Sequence, residues 1–161
     1  MSQGLTARDE PIVVLSPLSG RVVPIAEVPD PVFSGQMVGS GAGVEPAPEA
    51  FDVVSPVAGK IVKLLPHAFV VVDASGRGVL THVGIDTVKL KGEGFTILAA
   101  QGDQVAAGAP IMRVDPQAAI AAGYSLVSPV VVLDSKADTA TLLAEGSVAA
   151  GEQLFSWVRP A

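Results

Sequence analysis

Cysteine is absent from the 161-residue chain, which excludes a disulfide framework and thiol chemistry. Aromatic residues are scarce, at 4%, and basic residues are outnumbered, ten Lys plus Arg against sixteen Asp plus Glu. The net charge is −6, with no basic run and no interleaving of basic with aromatic residues. A phosphate-backbone binder needs clustered cations that release counterions, so nucleic-acid binding is excluded as a function class. Long apolar runs are missing too, although 49% of the residues are hydrophobic. The stretch LLPHAFVVVDASG is broken by Pro66, His67 and Asp73, and nothing approaches the roughly 20 apolar residues that span a bilayer. No direct membrane insertion is expected. The opening segment MSQGLTARDEP has neither the basic nor the apolar region of a secretory signal, and it is poorly patterned for an amphipathic anchor. A core stable without crosslinks suits a cytoplasmic location.

What is abundant is punctuation: 17 Gly and 13 Pro separate short apolar runs. That density suits tightly turned β-structure better than helix. Strands are expected over 12–15, 21–24, 53–54 continuing into 60–65, 68–73, 78–83, 95–98, 111–114, 130–133 and 154–158. One short helix is expected over 116–122, with Pro116 in its first turn and Gly123 stopping it, and 136–143 is a further helical candidate. The stretch 41–50 reads as a surface loop, and Gly39–Gly43 lacks the strand–helix context of a dinucleotide-binding turn.

An internal echo says more than propensity. Ser16-Pro17-Leu18-Ser19-Gly20-Arg21-Val22-Val23 returns 39 positions later as Ser55-Pro56-Val57-Ala58-Gly59-Lys60-Ile61-Val62, and a third Ser-Pro stands at Ser128-Pro129. Gly102-Asp103-Gln104-Val105-Ala106-Ala107-Gly108 is echoed, one residue shorter, by Gly146-Ser147-Val148-Ala149-Ala150-Gly151. Turn chemistry alone produces such likeness by convergence, since Ser-Pro starts turns and Gly supplies positive φ. Both repeats precede β-type runs, which favours a duplicated plan. The expected fold class is all-β: an antiparallel β-sandwich or flattened barrel with internally duplicated strand-turn-strand motifs and one or two short helices. Similar Gly-flanked repeats occur in biotinyl and lipoyl carrier domains, but no lysine here sits in a symmetric turn.

Only two histidines exist, His67 and His82. A hairpin centred between Ala74 and Ser75 would set His67 directly opposite His82, and Phe69 opposite Leu80. Directly opposed residues have Cβ atoms roughly 4.5–5.5 Å apart, close enough to share a ligand. Three uses compete. A neutral imidazole can be a nucleophile while its neighbour donates to phosphoryl oxygens. The pair can supply half of a tetrahedral zinc shell, completed by Asp30, Asp86 or a partner's carboxylate. Or both are merely structural.

The run Thr81-His82-Val83-Gly84-Ile85-Asp86-Thr87-Val88-Lys89-Leu90-Lys91-Gly92-Glu93-Gly94-Phe95 resembles the active-site signature of the glucose-class IIA component of the phosphoenolpyruvate-dependent sugar phosphotransferase system. The resemblance extends over Ser16–Gly20, Val28–Gly39, Pro66–Phe69 and Gly102–Gly108, in all over about residues 11–158. It implies a flexible N-terminal segment over 1–10 and a single IIA-type β-sandwich domain over 11–161. It further implies a phosphohistidine carrier that accepts a phosphoryl group from the carrier protein HPr on His82. That group then passes to a cysteine of the IIB domain of a sugar permease. His67 would be the auxiliary histidine, and the Gly84 carbonyl would fix the second ring nitrogen of His82. Asp30, Asp86 and Thr81 would support the phosphoryl site, while Val32, Phe33, Met37, Val38, Phe69 and Leu80 would form the partner-binding surface.

Physically, Asp30 and Asp86 repel phosphate, so they are better suited to orienting loops or meeting a partner's Arg or Lys. Capping of the next turn by Asp86 is an equal alternative. No cofactor is required, and a zinc ion bridging His67 and His82 at a protein–protein contact stays open. The sequence departs from the family pattern at Leu65, where a threonine is common, and at Leu80 and Val83, where aromatics are common. With no permease or IIB sequence attached, a free-standing component is expected. The alternative function is a non-catalytic regulatory or binding module that docks proteins on the His82 face.

Overall fold

The structure, a computed structural model, describes residues 11–158; the proposed flexible segment 1–10 lies outside them. Among the described residues, Gly and Pro cut the chain into fourteen short strands, as follows. β1 (Ile12–Leu15), β2 (Gly20–Pro24), β3 (Gly39–Glu45), β4 (Phe51–Val54), β5 (Gly59–Leu65), β6 (Ala68–Val72) and β7 (Gly78–His82) precede β8 (Phe95–Ile97). Then come β9 (Gln104–Val105), β10 (Pro110–Val114), β11 (Ser128–Leu133), β12 (Ala140–Leu142), β13 (Ser147–Val148) and β14 (Gln153–Trp157). Two short helices, α1 (Pro31–Ser34) and α2 (Gln117–Ala121), complete the frame with two turns of 3₁₀ helix, Ile25–Glu27 and Thr87–Leu90.

An eight-stranded antiparallel sheet, ordered β13-β2-β3-β11-β7-β6-β5-β9, curls into a half-barrel. Two three-stranded sheets, β1-β14-β12 and β4-β10-β8, pack into it. This is the all-β sandwich the sequence implies. Alternation along β7 sends Val79 and Thr81 inward and Gly78, Leu80 and His82 outward. The inward face joins Ile61, Phe69, Val71, Val130 and Val132 in the main core. On the outward face Val23, Val28, Phe33, Ile85, Val127 and Val131 form a smaller second core, against which Leu80 and Val38 pack.

The sequence echo is a structural repeat. Ser16 Oγ donates to Leu18 O at 2.6 Å, and Ser55 Oγ donates to Val57 O at 2.6 Å. The two corners also bond each other reciprocally, Leu15 N to Pro56 O and Val54 N to Pro17 O. Gly59 and Lys60 pair with β9 as Gly20 and Arg21 pair with β13. The large sheet is therefore palindromic, with β13, β2, β3 and β11 matched by β9, β5, β6 and β7.

Three sequence expectations are corrected. The supposed loop 41–50 is, over Gly39–Glu45, a buried central strand. Its small residues exist because β11 lies close: a Cβ at Gly41 would land on the Val130 carbonyl oxygen. The helical candidate 136–143 is a turn leading into β12, with Asp134 and Asp138 both in left-handed backbone. Residues 53–54 do not run on into 60–65, because the Ser55-Pro56 corner sends β4 and β5 into different sheets. The helix expected over 116–122 forms at Gln117–Ala121 with Pro116 at its N-cap position.

Candidate functional site

His82 ends β7, and His67 sits in the two-residue turn between β5 and β6, where Leu65 pairs with Ala68. The register is one residue off the sequence expectation: Ala68, not His67, faces His82, and Phe69 faces Thr81 rather than Leu80. The cause is the β6–β7 turn. It has three residues between Asp73 and Arg77, with Gly76 at φ 87°, where a two-residue turn is expected. Asp73 Oδ1 holds it by accepting from Ser75 N, Ser75 Oγ and Arg77 N. The histidines nevertheless meet, because His67 leaves the strand and turns back. Its carbonyl accepts from Val83 N at 2.7 Å. The ring centroids lie 5.1 Å apart at 73°, edge to face.

His82 Nδ1 lies 2.7 Å from Gly84 O. A carbonyl only accepts, so Nδ1 carries the proton, and in the neutral ring the lone pair is on Nε2. Phe33, buried in α1, packs against the same ring with centroids 5.3 Å apart. Burial pushes the His82 pKa below its ordinary value; the Gly84 bond, Asp30 and Asp86 act in opposition without reversing this. His67 is also lowered, first by burial and then by the neighbouring His82 charge. Both rings are therefore held neutral near pH 7.

The loop after His82 is pinned at Val83, Gly84 and Ile85. Gly84 has φ 74°, and a Cβ there would stand 2.6 Å from Thr87 Cγ2. Thr87 Oγ1 donates to Val83 O at 2.5 Å, and Ile85 N donates to Ser125 O at 2.9 Å. Gly84 N donates to the buried Ser128 Oγ at 3.1 Å. Ser128, Thr87 and Ser125 were not among the residues that sequence reasoning assigned to the site. Only the third Ser-Pro hinted at the first of them.

The remaining expected residues divide. Asp30 accepts from Val32 N at 2.9 Å and caps α1, whose first residue is Pro31. Asp86 makes no side-chain cap, which corrects the capping alternative; its carboxylate lies 3.9 Å from Lys89 Nζ. Thr81 points into the main core, away from His82, because strand neighbours face opposite ways. Its Oγ1 finds no hydrogen-bond partner among the described residues. It brings no side chain to the histidine pair. Phe69 is likewise wholly buried and offers no surface to a partner. Met37 is 75% exposed and Val32 42%, while Val38 and Leu80 are half-buried; together they make an apolar rim. Among the described residues no group of three or more His, Asp or Glu could hold a metal ion, so the histidine pair stands as two donors.

The family model for the phosphoenolpyruvate-dependent sugar phosphotransferase system, EIIA 1, matches residues 12–138. A glucose-specific EIIA component of Staphylococcus aureus is 36% identical over 144 residues, covering 88% of this chain and 86% of its own. Its counterpart from Staphylococcus epidermidis is 37% identical over 129 residues, covering 79% and 76%. The solved glucose permease IIA from Mycoplasma capricolum superposes with a TM-score of 0.83 at 31% identity, over 94% of this chain and 99% of that one.

Proposed function

The chain belongs to the EIIA 1 family of the phosphoenolpyruvate-dependent sugar phosphotransferase system, as a glucose-class IIA component, and from that membership we propose that it carries a phosphoryl group on His82. The group arrives from the phosphohistidine of HPr and leaves to a cysteine of a sugar-specific IIB domain. The donor N–P bond breaks as the bond to His82 Nε2 forms. The observation that carries this reading is the 2.7 Å contact of Nδ1 with Gly84 O, which leaves Nε2 as the nucleophile. His67, 5.1 Å away between ring centroids, is placed to donate to a phosphoryl oxygen and to support onward transfer. The rim of Val32, Met37, Val38 and Leu80 would dock both partners and exclude water from a labile N–P bond.

Action on phospho-HPr places the protein in the cytoplasm. No resident cofactor is needed, and a zinc ion bridging the histidines would need further donors from a partner. The names of the relatives make glucose the sugar to test first. The test is intact mass at neutral pH after incubation with phosphoenolpyruvate, enzyme I and HPr. One phosphoryl group is expected on wild type and on His67→Gln, and none on His82→Gln. No uptake by folded wild type with an active donor would sink the reading and leave a protein-docking module.

A further inference from the structure

Three Ser-Pro corners share a sequence, but their hydroxyls do different things. Ser16 and Ser55 each donate forward to the carbonyl two residues on, as turn locks. Ser128 donates backward, to Leu126 O at 2.9 Å, and its oxygen accepts from Gly84 N at 3.1 Å. This difference arises where the β7–β11 ladder stops. Its last pair towards the site is Val130 with Thr81, and the next residue of β11, Pro129, brings no N–H to bond the end of β7. The chain after His82 is thereby free to leave the sheet, and its first peptide beyond Val83 is caught by a side chain instead.

We infer that Ser128 is a positioning residue for phosphoryl transfer. By holding the Gly84 N–H it fixes the loop whose carbonyl keeps the proton on His82 Nδ1. The chain of bonds is continuous: Leu126 O, Ser128 Oγ, Gly84 N, then Gly84 O and His82 Nδ1. Gly84 takes positive φ, so its two peptides are not held by ordinary strand geometry. Without the hydroxyl, a buried N–H loses its acceptor and the loop must move to find another. The Gly84 carbonyl then drifts from Nδ1. A ring that has lost this partner samples the other tautomer, in which Nε2 carries the proton and cannot attack. Ser128 touches neither the reacting nitrogen nor the phosphoryl group.

The inference rests on the carrier reading of His82, but its test does not. Ser128→Val and Ser128→Thr have nearly equal volume and differ by the hydroxyl. Their His82 ring nitrogens are compared with wild type by ¹⁵N NMR on the unphosphorylated protein, and phosphoryl uptake from phospho-HPr is timed alongside. Wild type and Ser128→Thr should show a protonated Nδ1 in the neutral ring. Ser128→Val should show mixed tautomers and take up phosphoryl about tenfold more slowly, the loss of one hydrogen bond's worth of positioning. Unchanged ring shifts in Ser128→Val overturn the inference, whatever the rate. If that variant does not fold, Ser128→Cys keeps the size with a weak acceptor and answers the same question. In wild type, a Gly84 amide that exchanges as fast as an open loop overturns it without any variant. If wild type takes up no phosphoryl group, the carrier reading fails and the tautomer comparison still decides the role of Ser128.

Discussion

His82 carries its chemistry through a balance of burial against two carboxylates, and that balance has a sign that can be measured. Burial lowers its pKa, while the Gly84 bond, Asp30 and Asp86 favour the charged ring. Asp30→Asn or Asp86→Asn should therefore lower the His82 pKa further, seen as an acid shift in its NMR titration. An upward shift would show that the carboxylates act otherwise. Stability follows the same linkage. Both histidines titrate below the ordinary value of about 6.5, so the unfolded chain binds protons first as pH falls. Their contribution is intact above about pH 6.5 and declines as pH drops through the lowered folded values. The denaturant midpoint of wild type should fall more between pH 7.5 and 5.5 than that of a His67→Gln, His82→Gln double variant. Thr81 gives the opposite kind of test. Its hydroxyl is buried without a partner among the described residues, so Thr81→Val should gain about 1 kcal/mol of stability. Phosphoryl uptake on His82 should stay at the wild-type rate.

At the scale of elements, glycine marks where backbones touch. In Gly41→Ala the new methyl would meet the Val130 carbonyl in the middle of the large sheet. A cost at or above the top of the ~1–3 kcal/mol range for overpacking is expected, read from thermal or denaturant unfolding. The same contact explains why β3 was illegible in the sequence. GSGAGVE has the composition of a loop, and only the proximity of β11 makes smallness a requirement for a strand. Most other strands were legible because Val and Ile runs bounded by Gly and Pro suit only that reading. The histidine pair was legible too, though by a partly mistaken route. The one-residue slip in the β6–β7 register should have separated the rings, and the turn at Pro66-His67 restored them. Local sequence does not distinguish a two-residue from a three-residue turn until Gly76 and the Asp73 carboxylate are seen together. Phe69 was misplaced by that slip and Thr81 by family likeness, which assigns neighbourhoods more readily than faces. Ser128 was beyond reach, since its contact joins residues 44 positions apart.

The whole molecule is acidic, and Asp30 and Asp86 stand close enough to act on His82 beside the apolar rim. A donor protein with a basic face would be steered there, so the proposed transfer from phospho-HPr should slow as salt rises from about 0.05 to about 0.5 M and the Debye length shortens from ~14 to ~4 Å. Asp30→Asn with Asp86→Asn should flatten that dependence; an unchanged slope would place steering elsewhere. The frame that presents this face is built twice over, and the Ser16-Pro17 and Ser55-Pro56 corners bond each other as well as themselves. The backbone groups at Leu15, Pro17, Val54 and Pro56 are satisfied only where the two corners meet. Both corners lie within the first 57 residues, so each finds its partner on the same stretch of chain. The architecture is thus one member of a matched pair, β5, β6, β7 and β9, nested within the sequence of the other, β2, β3, β11 and β13, with both histidines borne by the nested member.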